Sequence, residues 1–330
     1  MQQINCKDKR VRIEGLYRFY ETGQFRRYTN EIVQQYPRLA AFDKRSTGAR
    51  MRFRTNSEKI RVEITVSDRF VDRGMSFYQA NAGYIFTGEY ASSKYAAIMT
   101  APDTYDSETV SAEITNSGMN DITVFFPRNP TVEDVNVFIE DGAFIGPPTP
   151  HKTALPFVFY GSSITEQGHT STPFAYASLL SRFFDADFYN FGASGNACGE
   201  PEIAAYLGGI RKSVFFYDYD HNAPTAAHLR NTHEAFFKAF RSVDAKTPVI
   251  MTSRPADDGS ETAERKEIVK NTYVNAVAAG DKNVYFFDGL TLFGNVDPAL
   301  CTSDRTHPND LGHYLIAETL AGYIKKNDIL

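Results

Sequence analysis

Four separated stretches, of three kinds, carry residue types that could do chemistry together. Gly161-Ser162-Ser163-Ile164-Thr165 follows the apolar run Phe157-Val158-Phe159-Tyr160, so serines stand where a strand gives way to a turn. A serine hydroxyl becomes nucleophilic near neutrality only beside a base. Asp304-Arg305-Thr306-His307-Pro308-Asn309 offers one. An acid three residues before a histidine can fold back and accept a hydrogen bond from Nδ1. That bond fixes the tautomer, frees Nε2 as a base and stabilises the imidazolium that forms. Pro308 suits the first position of a final helix, which puts His307 just before it. The alternative for these residues is a helix-capping His-Pro turn.

The third kind of stretch could receive charge. In Asn190-Phe191-Gly192-Ala193-Ser194-Gly195-Asn196 the glycines permit backbone conformations that aim N–H groups at an anion. In Asp218-Tyr219-Asp220-His221-Asn222-Ala223-Pro224 the Asn222 amide could face an oxyanion. Read alone, the first is a strand–helix turn and the second a cap for a helix near Thr225. Substrate contact is open to His221, beside Asn222, to Glu166 on the pocket rim, and to Arg254, for which a structural ion pair competes. His169 and His313 read as surface or cap residues. Cys6, Cys198 and Cys301 are scattered, with no disulfide framework, metal spacing or catalytic-thiol partners. No metal-ligand cluster or cofactor motif is visible in the sequence, which speaks against a metal-dependent phosphoesterase.

These stretches need strand ends to present them, and the chain supplies them in its second half. Strands are expected at Phe157–Tyr160, Asp187–Phe191, Val214–Tyr217, Pro248–Thr252 and Val284–Phe287. Helices are expected around 173–184, 202–207, 225–240, 261–278 and 309–325, the last with Leu311, Leu315, Ile316, Leu320 and Ile324 on one face. Strict β–α alternation with all-apolar strands implies an α/β domain with a parallel sheet covered on both sides, which binds ligands at its strand carboxyl ends. Residues 10–150 read as β. Ala49–Thr55 and Ile60–Val66 alternate apolar and polar, and short strands continue at 84–86, 109–114, 122–126 and 135–139. A sandwich or jelly roll follows. Gly146-Pro147-Pro148-Thr149-Pro150 breaks regular structure, so the expected division is a β-sandwich over 1–150 and a catalytic domain over 151–330.

Bulk properties agree with a two-domain globular chain. The 330 residues are long for one core, and 42% hydrophobic with 23% charged content is ordinary for such a protein. A net charge of −5 speaks against nucleic acid or an anionic membrane as partner. No apolar stretch approaches the ~18 residues of a transmembrane helix, and the first ten residues lack the apolar core of a signal peptide. Taken as written the sequence reads as cytoplasmic, or as secreted or periplasmic if a leader has been removed. It says nothing of oligomeric state.

Together these stretches resemble the SGNH hydrolase superfamily, the GDSL-like esterases and acylhydrolases. That family reads Gly-Asp-Ser near its start, then a block glycine, a block asparagine, and Asp-x-x-His near its end. Here Gly161-Ser162-Ser163 matches the first block with Ser162 in place of the aspartate. Gly195 matches the second. Asn222 matches the third, with Asp220-His221-Asn222-Ala223 standing for Gly-x-Asn-Asp. Asp304 and His307 match the last, and the likeness spans about residues 156–325. The resemblance implies a flavodoxin-like three-layer fold, Ser163 as nucleophile, His307 as base and Asp304 as its orienting partner. It also implies an oxyanion hole from the Ser163 and Gly195 N–H groups and the Asn222 amide. The β region is similar to the jelly-roll modules preceding this domain in carbohydrate-esterase-like members; Gly83-Tyr84-Ile85-Phe86 is the nearest match to the Gly-x-Asp-Leu-Tyr subgroup motif and lacks its acid. The implied activity is hydrolysis of a small acyl ester, such as acetyl on a carbohydrate, without cofactor. An acyltransferase would use the same residues, and a non-catalytic carbohydrate-binding protein would keep the fold.

Overall fold

Alternation in the first half sorts side chains to two faces, and the strands build two antiparallel sheets. The computed structural model describes residues 1–69, 71–72, 74–101, 108–259 and 261–330. In one sheet Gln2–Asn5, Thr131–Ile139, Lys59–Ser67 and Thr109–Thr115 lie in that order. The other runs Ile145–Gly146, Arg50–Thr55, Asn120–Phe125, Gly83–Thr87, Lys94–Met99, with Arg12–Glu14 paired to Arg50–Thr55. Arg50–Thr55 and Lys59–Ser67 are neighbours in sequence but lie in different sheets. Met51, Phe53 and Val124 of one sheet meet Val62, Ile64 and Val137 of the other in a shared core, so the pair is a sandwich.

The all-β expectation for residues 10–150 fails between 19 and 43. Phe19–Thr22, Asn30–Gln35 and Ala40–Asp43 are helical, the second capped by Thr29, whose side chain accepts from the Ile32 N–H. Helices this short carry no readable 3.6-residue stripe. Part of this segment also packs outside the sandwich. Tyr28, Ile32, Leu39 and Phe42 join Tyr160, Phe191, Ile203 and Leu207 on one face of the parallel sheet.

That sheet is as expected. Its strands run Ala186–Asn190, Thr153–Gly161, Val214–Asp218, Val249–Thr252, Val284–Phe287, every pair parallel. The first strand in sequence lies between the second and third, so its carboxyl end sits at the switch point where such sheets bind ligands. Val158 and Tyr160 face Pro201–Gly209 and Ala226–Val243; Phe157 and Phe159 face Tyr176–Phe183 and Asp310–Lys326. Burial on both faces explains the uninterrupted apolar runs. In the last helix Ile316, Leu320 and Ile324 are buried, but Leu311 is exposed and His313 takes its place on the inner face. No helix among the described residues is long and apolar enough to cross a membrane.

Sandwich and parallel sheet are joined by buried charge. Arg50, fully buried, sits 2.8 Å from Asp187 at the start of the second parallel strand and 3.0 Å from Glu14. Arg52 is 3.0 Å from the same glutamate, and His151 bridges Glu14 at 3.0 Å and Asp185 at 2.8 Å. We propose two units divided at the 146–150 break, the first lending residues 28–42 to the second's core. Removing one partner from a buried ion pair leaves an uncompensated charge. Arg50→Ala is therefore expected to destabilise the protein by about 3–5 kcal/mol, measured as a lowered urea midpoint.

Candidate active site

The serine turn is built by a close approach that only glycine allows. A Cβ on Gly161 would lie 2.1 Å from the Asp218 carbonyl oxygen and from Thr165 Oγ1. The Ser162 N–H donates to that carbonyl at 3.0 Å, and the buried Ser162 Oγ accepts from the Ile164 N–H. Ser162 is thus consumed by the turn, and Ser163 faces the cleft. Ser163 Oγ is 2.8 Å from His307 Nε2, and His307 Nδ1 is 2.7 Å from Asp304 Oδ2. The Thr306 and His307 N–H groups donate to Asp304 Oδ1 at 3.0 and 2.7 Å. Partial burial raises the Asp304 carboxyl, but the bonds from the His307 N–H and ring and from the Thr306 N–H outweigh it and hold the group down to about 2. A charged Asp304 keeps the proton on Nδ1 and leaves Nε2 to accept from Ser163. Two non-glycine residues with positive φ flank this chain, Gln167 at 120° and Arg305 at 70°. Such strain persists only where surrounding structure enforces it.

The three groups expected as oxyanion donors are engaged differently in this structure. Among the described residues the Ser163 N–H has no hydrogen-bond partner, but the Gly195 N–H donates to Asn222 Oδ1 at 2.8 Å. The Asn222 amide donates in turn to the carbonyls of Ala193 and Ala197 at 2.8 and 2.9 Å. Asn222 is buried, and a buried amide must be satisfied; the Ala193–Ala197 loop supplies the partners. Both donors are therefore engaged within the site, the Gly195 N–H by Asn222 Oδ1 and the Asn222 amide by the loop carbonyls.

A cavity of about 460 Å³ opens onto Ser163 and His307. Its lining includes Glu166 and Ser194 from the catalytic half and Phe42, Arg45, Asp72 and Arg128 from the N-terminal half. Glu166 reaches the cavity as expected, yet its oxygens are engaged by Arg45 at 2.7 Å and the Ser194 N–H at 2.8 Å. Arg254 and His221 are not part of this lining. Arg254 is buried against Asp220 at 3.2 Å and Asp258 at 2.7 Å, the structural pair that competed with substrate contact. Burial and the Arg254 charge push the His221 imidazole down to about 4. His169 and His313 are not surface residues. His313 is fully buried, with Nδ1 accepting from the Tyr176 N–H at 3.2 Å. His169 lines the cavity with its ring stacked on His307, centroids 4.5 Å apart. It brings a ligand cluster that the sequence did not reveal: His169, Asp304 and His307 hold ligand atoms within 4.8 Å of one another. Two of the three are already committed to the Ser163–His307–Asp304 chain.

A sequence model of the GDSL-like Lipase/Acylhydrolase family matches residues 154–325, just over half of the chain. The chain belongs to that family. This GDSL-like acylhydrolase is a carboxylic ester hydrolase, with a parallel-sheet domain preceded by a sandwich. Among solved structures it is similar to a Bacteroides ovatus protein described as a GDSL-like lipase, at 21% identity and TM-score 0.85, covering 98% of this chain and 97% of that one. A salicylyl-acyltransferase of a tetracycline biosynthetic pathway matches at 17% identity and TM-score 0.80, covering 100% and 98%. A family two carbohydrate esterase from Clostridium thermocellum matches at 14% identity and TM-score 0.63, covering 86% and 94%. These likenesses show a shared two-part fold. No curated protein matches the chain.

Beneath the serine turn of this acylhydrolase lies a second buried acid. Asp218 ends the third parallel strand in sequence, and Thr165 Oγ1 donates to its Oδ2 at 3.1 Å. Burial pushes its carboxyl up to about 8, against the pull of the Thr165 hydroxyl. A folded-state value above the unfolded 3.8 means the proton is held more tightly in the fold. The favourable contribution is complete below pH 4 and is lost as pH rises toward 8, at no more than about 1.4 kcal/mol per pH unit. Asp218→Asn removes this dependence. Its melting temperature is expected to gain on the wild type progressively from pH 5 to pH 8, and a gap that stays constant across that range would contradict the assignment.

Proposed function

We propose that this acylhydrolase is a serine esterase that removes a small acyl group, such as acetyl, from a carbohydrate. The observation that carries the reading is the Ser163–His307–Asp304 hydrogen-bond chain opening onto a cavity lined mainly by polar and charged side chains. Phe42 and Val71 give that lining too little apolar surface for a long alkyl chain. The size and polarity suit a sugar hydroxyl ester, and the carbohydrate-esterase neighbour adds support by analogy.

The chemistry follows from the positions of the groups. Ser163 Oγ adds to the ester carbonyl carbon while His307 Nε2 takes its proton. The carbonyl π pair moves onto oxygen, giving a tetrahedral oxyanion. When that pair returns, the bond to the alcohol oxygen breaks, and His307 hands its proton to the leaving alcohol. Water then adds to the acyl-Ser163 carbonyl by the same steps in reverse order, releasing the acid and restoring the Ser163 hydroxyl. Asp304 keeps the imidazole in the useful tautomer and balances its charge. For the oxyanion we assign the Ser163 N–H, with the Gly195 N–H recruited from Asn222 Oδ1 and the Asn222 amide from the Ala193 and Ala197 carbonyls. In acyl transfer an alcohol acceptor takes the place of water.

A panel of p-nitrophenyl esters and acetylated sugars tests this. Acetyl esters are expected to exceed octanoyl esters in kcat/KM. Ser163→Ala is expected to lower kcat by at least about 10⁴-fold and Asp304→Asn by about 10³–10⁴-fold. Asn222→Ala is expected to cost about 10²–10³-fold. A Ser163→Ala enzyme with wild-type turnover would overturn the assignment, and a wild type inactive on every ester but bound to the sugar would indicate a binding protein.

A further inference from the structure

The feature that neither the triad nor the family pattern uses is His169. Its ring lies on that of His307 with centroids 4.5 Å apart and planes 30° from parallel. Resting on the assignment of His307 as base, we propose that His169 is a positioning residue for it, pressed into place by the N-terminal half of the chain.

Three observations support this. First, the loop that carries His169 is tied at both ends to the triad. The Gly168 N–H donates to the Ser163 carbonyl at 2.7 Å, and the His169 N–H donates to the Pro308 carbonyl, one residue beyond His307, at 3.3 Å. The chain reaches this position through the strained Gln167, with φ 120°, and Gly168, with φ 51°. Second, the ring is backed from the other half of the chain. A Cβ on Gly74 would lie 2.2 Å from His169 Cγ and Nδ1, so the Gly74 backbone abuts the ring and restricts its movement. Asp72 Oδ1 lies 4.0 Å from His169 Nε2, and Arg128 hydrogen-bonds both Asp72 and the Gly168 carbonyl. Third, His307 needs such a restraint. Its two nitrogens are fixed in the ring plane by Ser163 and Asp304, but in-plane bonds leave the ring free to tilt. Its side chain is 24% exposed, so water reaches it from the cleft. A stacked ring stops the tilt and shields one face.

The partner's chemistry also fits. The π face of a neutral aromatic ring attracts a cation, so a neutral His169 favours the imidazolium that His307 becomes in each transition state. Burial, followed by the neighbouring His307 charge, lowers the proton affinity of His169; Asp304 and Asp72 pull the other way and Arg128 adds to the lowering.

The test uses the full-length enzyme with the best acetyl ester of the panel and reads kcat, KM, the melting temperature and the low-field proton resonance of His307 Nδ1–H. His169→Ala is expected to lower kcat about 10–100-fold with KM within about twofold, and to broaden or shift the resonance. His169→Phe, which keeps a stacking ring, is expected to recover most of that loss and the resonance. Gly74→Ala, which drives a methyl into the ring, is expected to lower kcat in the wild type but to add little in the His169→Ala background, since both act through one contact. The inference is overturned if folded His169→Ala keeps wild-type kcat, if only KM rises, as for a substrate contact, or if His169→Phe is as impaired as His169→Ala. Should His169→Ala fail to fold, the Phe and Gly74 variants decide alone: a Gly74→Ala enzyme with unchanged kcat contradicts the clamp. If Ser163→Ala retains activity, the assignment of the base falls. If Ser163→Ala is inactive and the His169 variants are normal, only the positioning role falls.

Discussion

The Glu166 carboxylate is buried three residues after the serine, where a charge taken from water costs several kcal/mol unless it is paired. Its pairing draws three parts of the chain together. One oxygen faces Arg45 at 2.7 Å and Arg27 at 3.8 Å, and the other accepts from the Ser194 N–H at 2.8 Å. Arg27 in turn donates to the carbonyls of Phe42, Asn190 and Gly192, and Tyr28 donates its hydroxyl to the Phe191 carbonyl. The serine turn, the glycine loop and residues 27–45 are thus satisfied only in each other's presence. This couples the shape of the site to docking of the N-terminal segment.

The N-terminal half is for this reason more than an attached module. It contributes Phe42, Arg45, Asp72 and Arg128 to the cavity wall, and its Gly74 backs the ring stacked on His307. Arg50, Glu14 and Asp187 fasten it at a second place, near the start of the parallel strand that ends in the glycine loop. A parallel sheet alone leaves its switch-point crevice shallow; the sandwich and the 19–43 segment give it walls. The charged side chains in those walls set the polar character on which the substrate reading rests.

What was legible in the sequence was local. The serine turn follows one strand, and Asp304 and His307 lie three residues apart, so each showed as a short pattern with its own physical logic. The alternating and all-apolar runs likewise fixed both sheet types, since a period of two and burial on both faces leave direct marks on residue choice. What was not legible depends on distant packing. His169 follows Glu166 by three residues, but that carboxylate is taken by Arg45 and the Ser194 N–H, and the significance of His169 comes from Gly74 and His307, both far along the chain. His313 reads in the sequence as a surface or cap residue, and only the packing of Tyr176–Phe183 against the last helix puts it inside. The short helices between 19 and 43 carry no periodic signal, so their crossing to the parallel sheet was invisible. The bond from the Gly195 N–H to Asn222 is a choice between partners that motif spacing does not determine.

The central claim is that Ser163, activated by His307, carries the acyl group. Treating the native enzyme with a fluorophosphonate and mapping the adduct by peptide mass spectrometry tests it most directly. A single adduct on Ser163, formed slowly or not at all in His307→Ala, is the predicted result. An unmodified Ser163 in active enzyme, or an adduct on Ser162 instead, would contradict the account.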